Sequence, residues 1–354
     1  MRVRTVISVI VGVASILSML LLKADEAARA HTLIVSASYV KAAPTGLDDP
    51  IWKTAQAVQL LVEGREPVVG ANGTVTTRAL YTDNRLFFLF KWKDPSHRIT
   101  KQSWKFDGKK WYHLEGNEDR LALLFEITRI NKFATRGCAI TCHSPADVPR
   151  KDWKLATKTD DEKGDLWHWK AARSAPYGYA DDAWLTVAGN PTGSYRETGR
   201  RKDVGAGGDI KNQTQNGERP LYMQDPDLKP SAPGFLLMEE VVKITDYSIF
   251  KTADIIPYRL PVKPSGSRFD VKATSRYADG GWMVMFSRKL NTGHEDDVVF
   301  NPKKRYSFAL AVFDNSGSEH SKATEPMTLI FNRCYLAPRS TSILNPSLSQ
   351  QFRV

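Results

Sequence analysis

Short apolar or alternating segments, each bounded by turn-forming residues, dominate the chain. Residues 75–80 alternate apolar and polar positions, as expected for a strand with one buried face. After a turn at 83–85, residues 86–92 form a largely apolar, aromatic segment that ends at Asp94-Pro95. The same criteria predict further strands at 121–127, 183–187, 235–242, 282–286, 306–313 and 327–331.

The order of these segments favours an all-β protein. Strands do not alternate with helix-length segments, and no long 3.6-residue periodicity is present. We therefore predict an antiparallel β-sandwich with long irregular loops and few short helices. Residues 194–234 are polar and rich in Gly, Pro, Asn and Gln, which predicts a long loop excursion. Residues 31–354 are expected to form a single domain that includes this excursion.

The first thirty residues have the pattern of an export signal. Arg2 and Arg4 precede an apolar run over 6–22, and Ala28-Arg29-Ala30 follows a short polar stretch. A basic start, an apolar stretch and small residues at the cleavage positions are typical of a secretory signal peptide. An uncleaved N-terminal anchor is the alternative, because the apolar run is nearly long enough to span a membrane. In either case residues 31–354 are expected outside the cytoplasm, in the periplasm or an equivalent compartment.

Composition and charge narrow the class of protein. Of 354 residues, 42% are hydrophobic, 10% aromatic and 25% charged, with only 3 Cys. These values exclude a disordered tail, a collagen, a coiled coil and a disulfide-dense miniprotein. The net charge is +11, and about +9 without residues 1–30, which hold four basic and two acidic residues. The basic residues are scattered and the chain carries an export signal, so nucleic acid is not an expected partner, and the charge indicates at most a docking surface.

A cysteine–histidine motif carries the clearest chemistry. Cys138 and Cys142 are followed directly by His143, giving Cys-x-x-x-Cys-His. This spacing is one residue longer than the usual attachment motif of a c-type haem, in which two thiols bind the porphyrin and the adjacent imidazole binds the iron. A local Cys138–Cys142 disulfide and a zinc site are the alternatives. Zinc would need a second ligand pair at a matching spacing, and a disulfide would not need the adjacent histidine.

A c-type haem in an electron carrier normally has a second axial ligand, and three residues are candidates. His168 and Lys170 lie in the phrase Trp167-His168-Trp169-Lys170. In an extended segment these two side chains point to one side and the two tryptophans to the other. Met223 is the third candidate, because thioethers also bind haem iron. Composition does not choose among them, and a strand buried on its aromatic face explains the two tryptophans equally well.

Several phrases, taken in order, resemble the ethylbenzene-dehydrogenase-type haem-binding domain family. The resemblance spans about residues 45–331 and rests on 75–81, 86–95, 117–121, 164–182, 281–293 and 306–314. It implies a β-sandwich that holds one haem. Members of that family include the γ subunits of exported molybdenum oxidoreductases, which pass electrons between an iron–sulfur subunit and an external carrier.

The resemblance also implies a ligand set. In those γ subunits a Met and the Lys of a Trp-x-Trp-Lys phrase bind a non-covalent haem, so Lys170 becomes the preferred distal ligand. This chain departs from the pattern on the other side, because no Met occurs between Met19 and Met223. The motif from Cys138 to His143 occupies the stretch where the Met is expected. We infer that His143 takes its place and that one haem c is held covalently.

The leading hypothesis is therefore an exported monohaem c-type cytochrome. It would transfer single electrons between the iron–sulfur and molybdopterin subunits of an oxidoreductase and a soluble electron carrier, with substrate chemistry on another chain. Two alternatives remain: a non-redox, ligand-binding β-sandwich with a Cys138–Cys142 disulfide, and a haem-based sensor with one open iron position. Cys334, the remaining cysteine, is expected to be a buried thiol.

Overall fold

The computed structural model describes residues 32–64, 73–141, 154–189, 198–317 and 320–333. Most of its regular structure is β-strand, and the all-β prediction is confirmed. The strands are β1 Leu33–Tyr39, β2 Val58–Glu63, β3 Gly73–Tyr81, β4 Arg85–Lys93, β5 Trp104–Phe106, β6 Trp111–His113, β7 Arg120–Glu126, β8 Gly164–Lys170, β9 Asp181–Leu185, β10 Arg200–Lys202, β11 Asp209–Lys211, β12 Tyr222–Gln224, β13 Val241–Lys243, β14 Ile255–Ile256, β15 Arg259–Pro261, β16 Lys272–Ala278, β17 Gly281–Lys289, β18 Tyr306–Phe313, β19 Ser321–Ala323 and β20 Met327–Asn332.

In the described part of the chain, helical structure is limited to single turns. The α-helix α1 comprises Phe133–Arg136, and 3-10 turns occur at Pro50–Thr54, Gly137–Ile140, Ala175–Tyr177, Met238–Glu240 and Ser267–Phe269. Among the described residues, no helix is long and apolar enough to cross a membrane. The residues of the expected export signal lie outside the described part of the chain.

Thirteen strands form one sheet that folds back on itself. Its hydrogen-bonded order is β10-β9-β8-β7-β18-β19-β2-β3-β4-β17-β16, and β1 pairs in parallel with β3 and β20. Phe88 on β4 packs against Phe125 on β7 and Trp167 on β8, with ring centroids 6.2 and 6.4 Å apart. These contacts bring the β9-β8-β7-β18 layer against the β3-β4-β17-β16 layer, which gives the predicted sandwich.

Strand β7 shows why the central strands are apolar throughout. Leu121, Leu123 and Phe125 belong to the core between the two layers. The alternate residues Ala122 and Leu124 are also buried, but in a second apolar cluster on the outer face of the same sheet. A strand covered on both faces has no solvent-facing positions, so its sequence is a continuous apolar run rather than an alternating one.

The hairpin between β16 and β17 follows directly from its turn residues. Asp279 and Gly280 have φ angles of 53° and 66°, the left-handed conformation that a two-residue type I′ hairpin requires at both positions. Asp and Gly tolerate this conformation better than other residues. The strand predicted at 282–286 is confirmed as part of β17, and this turn lies directly before it.

Residues 235–242 differ from the prediction, because only Val241 and Val242 at their end belong to a strand, β13. Leu236 and Leu237 are consecutive and both buried, whereas a strand covered on one face would expose one of them. The chain then makes the 3-10 turn Met238–Glu240, and the Glu240 carboxylate accepts a hydrogen bond from the Ser231 backbone N–H at 2.9 Å. The strand prediction here was wrong because a non-alternating apolar pair resembles a short buried strand.

The polar excursion predicted at 194–234 is more regular than a loop. Its residues Arg200–Lys202 extend the main sheet as β10, and its strands β11 and β12 pair with β15 and β13. With β5, β6 and β14 they surround a smaller core that contains Trp104 and Leu260. The buried Asn212 amide helps to hold this region, because its Nδ2 donates to the carbonyls of Tyr222 and Pro257 at 2.9 and 3.1 Å.

Candidate functional site

A cavity opens on the outer face of the β9-β8-β7-β18 layer. It encloses about 830 Å³ of empty space, a figure that includes its open mouth. Its lining is Arg120, Ala122, Leu123, Leu124, Cys138, Leu155, Leu166, His168, Leu185, Arg200, Ala309, Leu310, Ala311, Phe313, Gly317 and His320.

The floor of the cavity is flat because small side chains meet on its two central strands. Ala122 on β7 lies directly opposite Ala311 on β18, and Ala309 occupies the same face of β18. Alternate residues on both strands are large and face the main core, as Leu123 and Leu310 illustrate. Alanine methyl groups leave space above a sheet that leucine or phenylalanine would fill. The space is therefore built into the sheet.

One wall of the cavity comes from the segment that follows β7. Phe133 of α1 and Cys138 of the next 3-10 turn are buried in the outer apolar cluster. The backbone N–H of Thr141 donates to the Cys138 carbonyl at 3.0 Å, which closes this turn. Cys138, the first cysteine of the motif, thus lines the cavity. Cys142 and His143 lie outside the described residues, as does Cys334.

His168 projects from β8 into the cavity. Its imidazole is buried, stacks on Phe313 with ring centroids 5.4 Å apart, and its Nε2 has no hydrogen-bond partner among the described residues. Burial, reinforced by the nearby Lys170 and Arg200 charges, holds the pKa of His168 well below its usual value. The side chain is therefore a neutral imidazole, the form in which histidine binds a metal.

Lys170 leaves β8 on the same face as His168 but ends in an ion pair. Its Nζ contacts the Asp181 carboxylate, which also accepts from Arg268 Nε at 2.6 Å and lies 3.4 Å from Arg200 Nη2. Burial lowers the pKa of Lys170 to about 7, although Asp181 opposes the shift. Asp181 keeps Arg268 and Arg200 when Lys170 is neutral, so loss of the lysine proton does not leave this buried carboxylate without a cation.

The two tryptophans of the phrase face away from the cavity. Trp167 packs 4.9 Å from Phe125 and Trp169 packs 5.0 Å from Trp282, both measured between ring centroids in the main core. The predicted separation of the two pairs of side chains across β8 is confirmed. Because the tryptophans lie behind the strand, they do not line the cavity and would not shield a ligand there.

Met223 lies in the smaller core rather than at the cavity. It pairs with Val242 across β12 and β13 and packs with the cluster around Trp104. Among the described residues that line the cavity, its thioether is absent. The structure thus places Cys138 and His168 at one cavity, with Lys170 on the same face of β8 but not among the residues that line the cavity, and it separates Met223 from all three.

Two arginines at the cavity were not among the site residues predicted from the sequence. Arg120 begins β7 on the same face as Ala122, and its Nη1 donates to the Gly317 carbonyl at 3.1 Å. Arg200 comes from β10, and its Nε has no hydrogen-bond partner among the described residues, whereas Arg120 Nε lies 3.4 Å from the Glu118 carboxylate. The alternation of β7 could have indicated Arg120, whereas nothing local indicates Arg200 or His320.

Comparison with known sequences gives the class of protein. The chain belongs to the ethylbenzene dehydrogenase family, whose sequence model matches residues 49–325. Membership makes it an oxidoreductase-associated subunit of a family that is linked to haem and to molybdopterin oxidoreductase subunits. No curated protein matches the sequence.

Solved structures provide only distant likenesses. A carbohydrate-binding module of family 9 from Caldicellulosiruptor kristjanssonii, in complex with cellotriose, is 9% identical, with a TM-score of 0.35 over 88% of this chain and 100% of that chain. A putative carbohydrate-binding protein from Bacteroides uniformis ATCC 8492 is 8% identical, with a TM-score of 0.37 over 85% of this chain and 100% of that chain. At these scores the likenesses carry no functional argument.

Proposed function

We propose that this chain is an exported electron-transfer subunit that holds one covalent haem c in the cavity of the β9-β8-β7-β18 layer. The observation that carries the proposal is the position of Cys138, the first thiol of the attachment motif, in a cavity that also receives the unpartnered imidazole of His168. A cysteine thiol and a neutral imidazole facing one apolar space suit a porphyrin and its iron.

The attachment side rests on the cysteine–histidine motif. Cys138 and Cys142 would form the two thioether bonds, and His143 would bind the iron as the proximal ligand. Cys138 meets the requirement for a buried thiol at the cavity wall.

The remaining surroundings suit the rest of the macrocycle. The alanine floor and the leucines around it would contact a flat apolar ring, and Arg120 and Arg200 would supply cations for the propionate carboxylates. When bound, haem supplies one-electron exchange between ferric and ferrous iron. The chain's own residues would exclude water from the face of the haem ring and would pair with the charged groups of the haem.

The proposal assigns the distal position to Lys170, on the family resemblance. Lys170 must release Asp181 and its proton before Nζ can bind a metal, and its lowered pKa together with the two arginines on Asp181 makes both changes inexpensive. His168 is the direct rival, since its Nε2 already faces the cavity without a partner. Variants of Lys170 and His168 distinguish the two possible distal ligands.

The proposed setting follows from the N-terminal signal and from the family. Residues 1–30 would direct the chain across the membrane, into the compartment where covalent haem attachment takes place. There the subunit would accept or deliver electrons between the iron–sulfur and molybdopterin subunits of an oxidoreductase and a soluble carrier. Substrate chemistry would belong to the molybdopterin chain, and this chain would only move electrons.

Haem staining after denaturing electrophoresis tests the proposal. The full chain, produced with haem-maturation machinery, should keep its stain, and a Cys138→Ala/Cys142→Ala variant should lose it, because only thioether bonds survive denaturation. Cys334→Ala is the matched control and should stain like the wild type. Loss of all stain from the wild type would refute covalent attachment. A pyridine-haemochrome spectrum of the same preparation should give one haem c per chain.

A further inference from the structure

Four aspartates converge inside the sandwich, on the face of β8 and β9 opposite the cavity. Asp165 lies on β8, Asp182 on β9, and Asp297 in the connection between β17 and β18. One carboxylate oxygen from each of these three residues lies within 4.8 Å of the others. Their exposed fractions are 0%, 0% and 2%. Asp203, which follows β10, is 3% exposed and lies within electrostatic reach of all three.

The positive charge beside these aspartates is too small to neutralise them. Arg288, fully buried on β17, contacts Asp165 Oδ2 at 2.6 Å and lies 3.5 Å from Asp297 Oδ2. His294 Nδ1 lies 3.7 Å from Asp297 but is closer to Asp270, at 2.9 Å. Four carboxylates with one guanidinium would leave a buried net charge of −3. Such a charge is not tolerated in a protein interior unless protons or a metal ion neutralise it.

Several carboxylate oxygens of these aspartates lack a hydrogen-bond donor. Asp165 Oδ1, Asp182 Oδ2 and both carboxylate oxygens of Asp203 have no hydrogen-bond partner in the described part of the chain. Asp203 is the independent observation, because it lies outside the group of three and yet buries a whole carboxylate without a donor. Buried polar groups in native proteins are nearly always satisfied. Unpartnered acceptor oxygens on three residues whose carboxylates lie within 4.8 Å of one another are what a cation site provides.

We propose that Asp165, Asp182 and Asp297, with Asp203 beside them, bind one Ca²⁺ ion. Carboxylate oxygens are the ligands that hard divalent cations prefer. Ca²⁺ accepts six to eight oxygens, with carboxylates bound through one or both oxygens, whereas Mg²⁺ demands a strict octahedron and keeps several waters. A buried group of four carboxylates therefore suits Ca²⁺ better than Mg²⁺.

The ion would join the two layers of the sandwich behind the cavity. Asp165 and Asp182 belong to the layer that carries His168 and Lys170, whereas Arg288 and the connection after β17 belong to the opposite layer. The Val298 backbone N–H donates to Asp165 Oδ2 at 3.0 Å, so the same carboxylate already links the layers. Bound Ca²⁺ would hold β8 and β9 in place from their inner side. This site does not depend on the proposed haem, and it stands if the haem-stain test fails.

Metal analysis and thermal unfolding of the full chain test this proposal. The protein purified without chelator should contain about one Ca²⁺ per chain, and EGTA should lower its Tm by at least about 5 °C, reversibly on addition of Ca²⁺. Asp182→Asn should lose the metal and the response to EGTA. Asp160→Asn, at an exposed aspartate, is the matched control and should behave like the wild type.

The rival explanation is that the carboxyls hold protons instead of a metal. It predicts wild-type protein without Ca²⁺, a Tm that ignores EGTA and added Ca²⁺, and an Asp182→Asn variant as stable as the wild type or more so. That result would overturn the proposal. If Asp182→Asn fails to accumulate, the metal content and the EGTA response of the wild type decide the question alone.

Discussion

His168 and Lys170 leave strand β8 on the same face, two residues apart, and end in different surroundings. The His168 imidazole enters the cavity with Nε2 unpartnered, whereas the Lys170 ammonium pairs with Asp181. Strand alternation places both on the side of the proposed haem, so alternation cannot choose between them. The arrangement offers one ligand that is ready to bind and one that first has to be released.

Substitution of each residue should identify the distal ligand. If Lys170 binds the iron, Lys170→Ala should open that position, and the reduced protein should bind carbon monoxide readily. His168→Ala should keep the closed, six-coordinate spectrum. Absorption spectra with and without carbon monoxide measure both. Asp181 retains Arg268 and Arg200 in the lysine variant, so the fold should survive. The reverse pattern would assign the position to His168.

A larger side chain on the cavity floor should block the cofactor. Ala311→Phe would fill the space above the Ala122–Ala311 pair, and the new ring would occupy volume that the cofactor needs. We expect at least a tenfold fall in haem content, measured by absorbance per chain, while circular dichroism remains that of a β-protein. Ala311→Ser, which barely changes the volume, is the control. Full haem content in Ala311→Phe would place the cofactor elsewhere.

The close approach of β9 to the chain before β10 should depend on one glycine. A Cβ built at Gly199 would lie 1.7 Å from the Thr186 carbonyl oxygen, a backbone atom that cannot move independently. Gly199→Ala should therefore force the strands apart and displace the adjacent Arg200. We expect a loss of about 2–4 kcal/mol in the free energy of unfolding, measured by urea denaturation.

A second glycine supplies the control for that experiment. A Cβ at Gly46 would meet nothing within 4 Å, and its φ is not in the left-handed range. Gly46→Ala should leave the free energy of unfolding within about 0.5 kcal/mol of the wild type. Equal effects of the two substitutions would show that the contact at Thr186 is not what makes Gly199 necessary.

Lys101 should make stability depend on pH above neutrality. Burial lowers the pKa of Lys101 to about 7, and the neighbouring Arg173 and Arg120 act in the same direction. Its pKa in the unfolded chain is about 10.4. Between these values the unfolded chain binds a proton that the folded chain has released, so the free energy of unfolding rises with pH. Below about pH 7 both states hold the proton, and the cost of the buried charge is fully present.

Lys101→Met should remove this contribution. Relative to the variant, the wild type should gain stability from about pH 7 to about pH 10, by less than about 1.4 kcal/mol per pH unit because Lys101 is partly exposed. Urea unfolding at several pH values measures the difference. Lys109→Met, at an exposed lysine, should track the wild type. Parallel curves for the wild type and Lys101→Met would contradict the shifted pKa.

Most of the strands that local sequence patterns predicted are present in the structure. The alternation around Trp167 and Trp169 predicted which side chains share a face, and turn-forming residues such as Asp279 and Gly280 bound the strand predicted at 282–286. Both succeed because backbone stereochemistry alone sets a period of two in a strand and restricts which residues turn left-handed. The strand prediction failed over residues 235–240, because two adjacent buried leucines show no alternation.

The sequence by itself determined the β-class, the faces of each strand and the thiol–imidazole motif, because these depend on neighbours along the chain. Tertiary structure alone decided that Ala122 faces Ala311 to leave a cavity, and that this cavity receives Cys138. It also decided that aspartates from distant segments share one buried space. The order of strands in a sheet sets such encounters, and that order follows from how the whole chain buries its apolar surface.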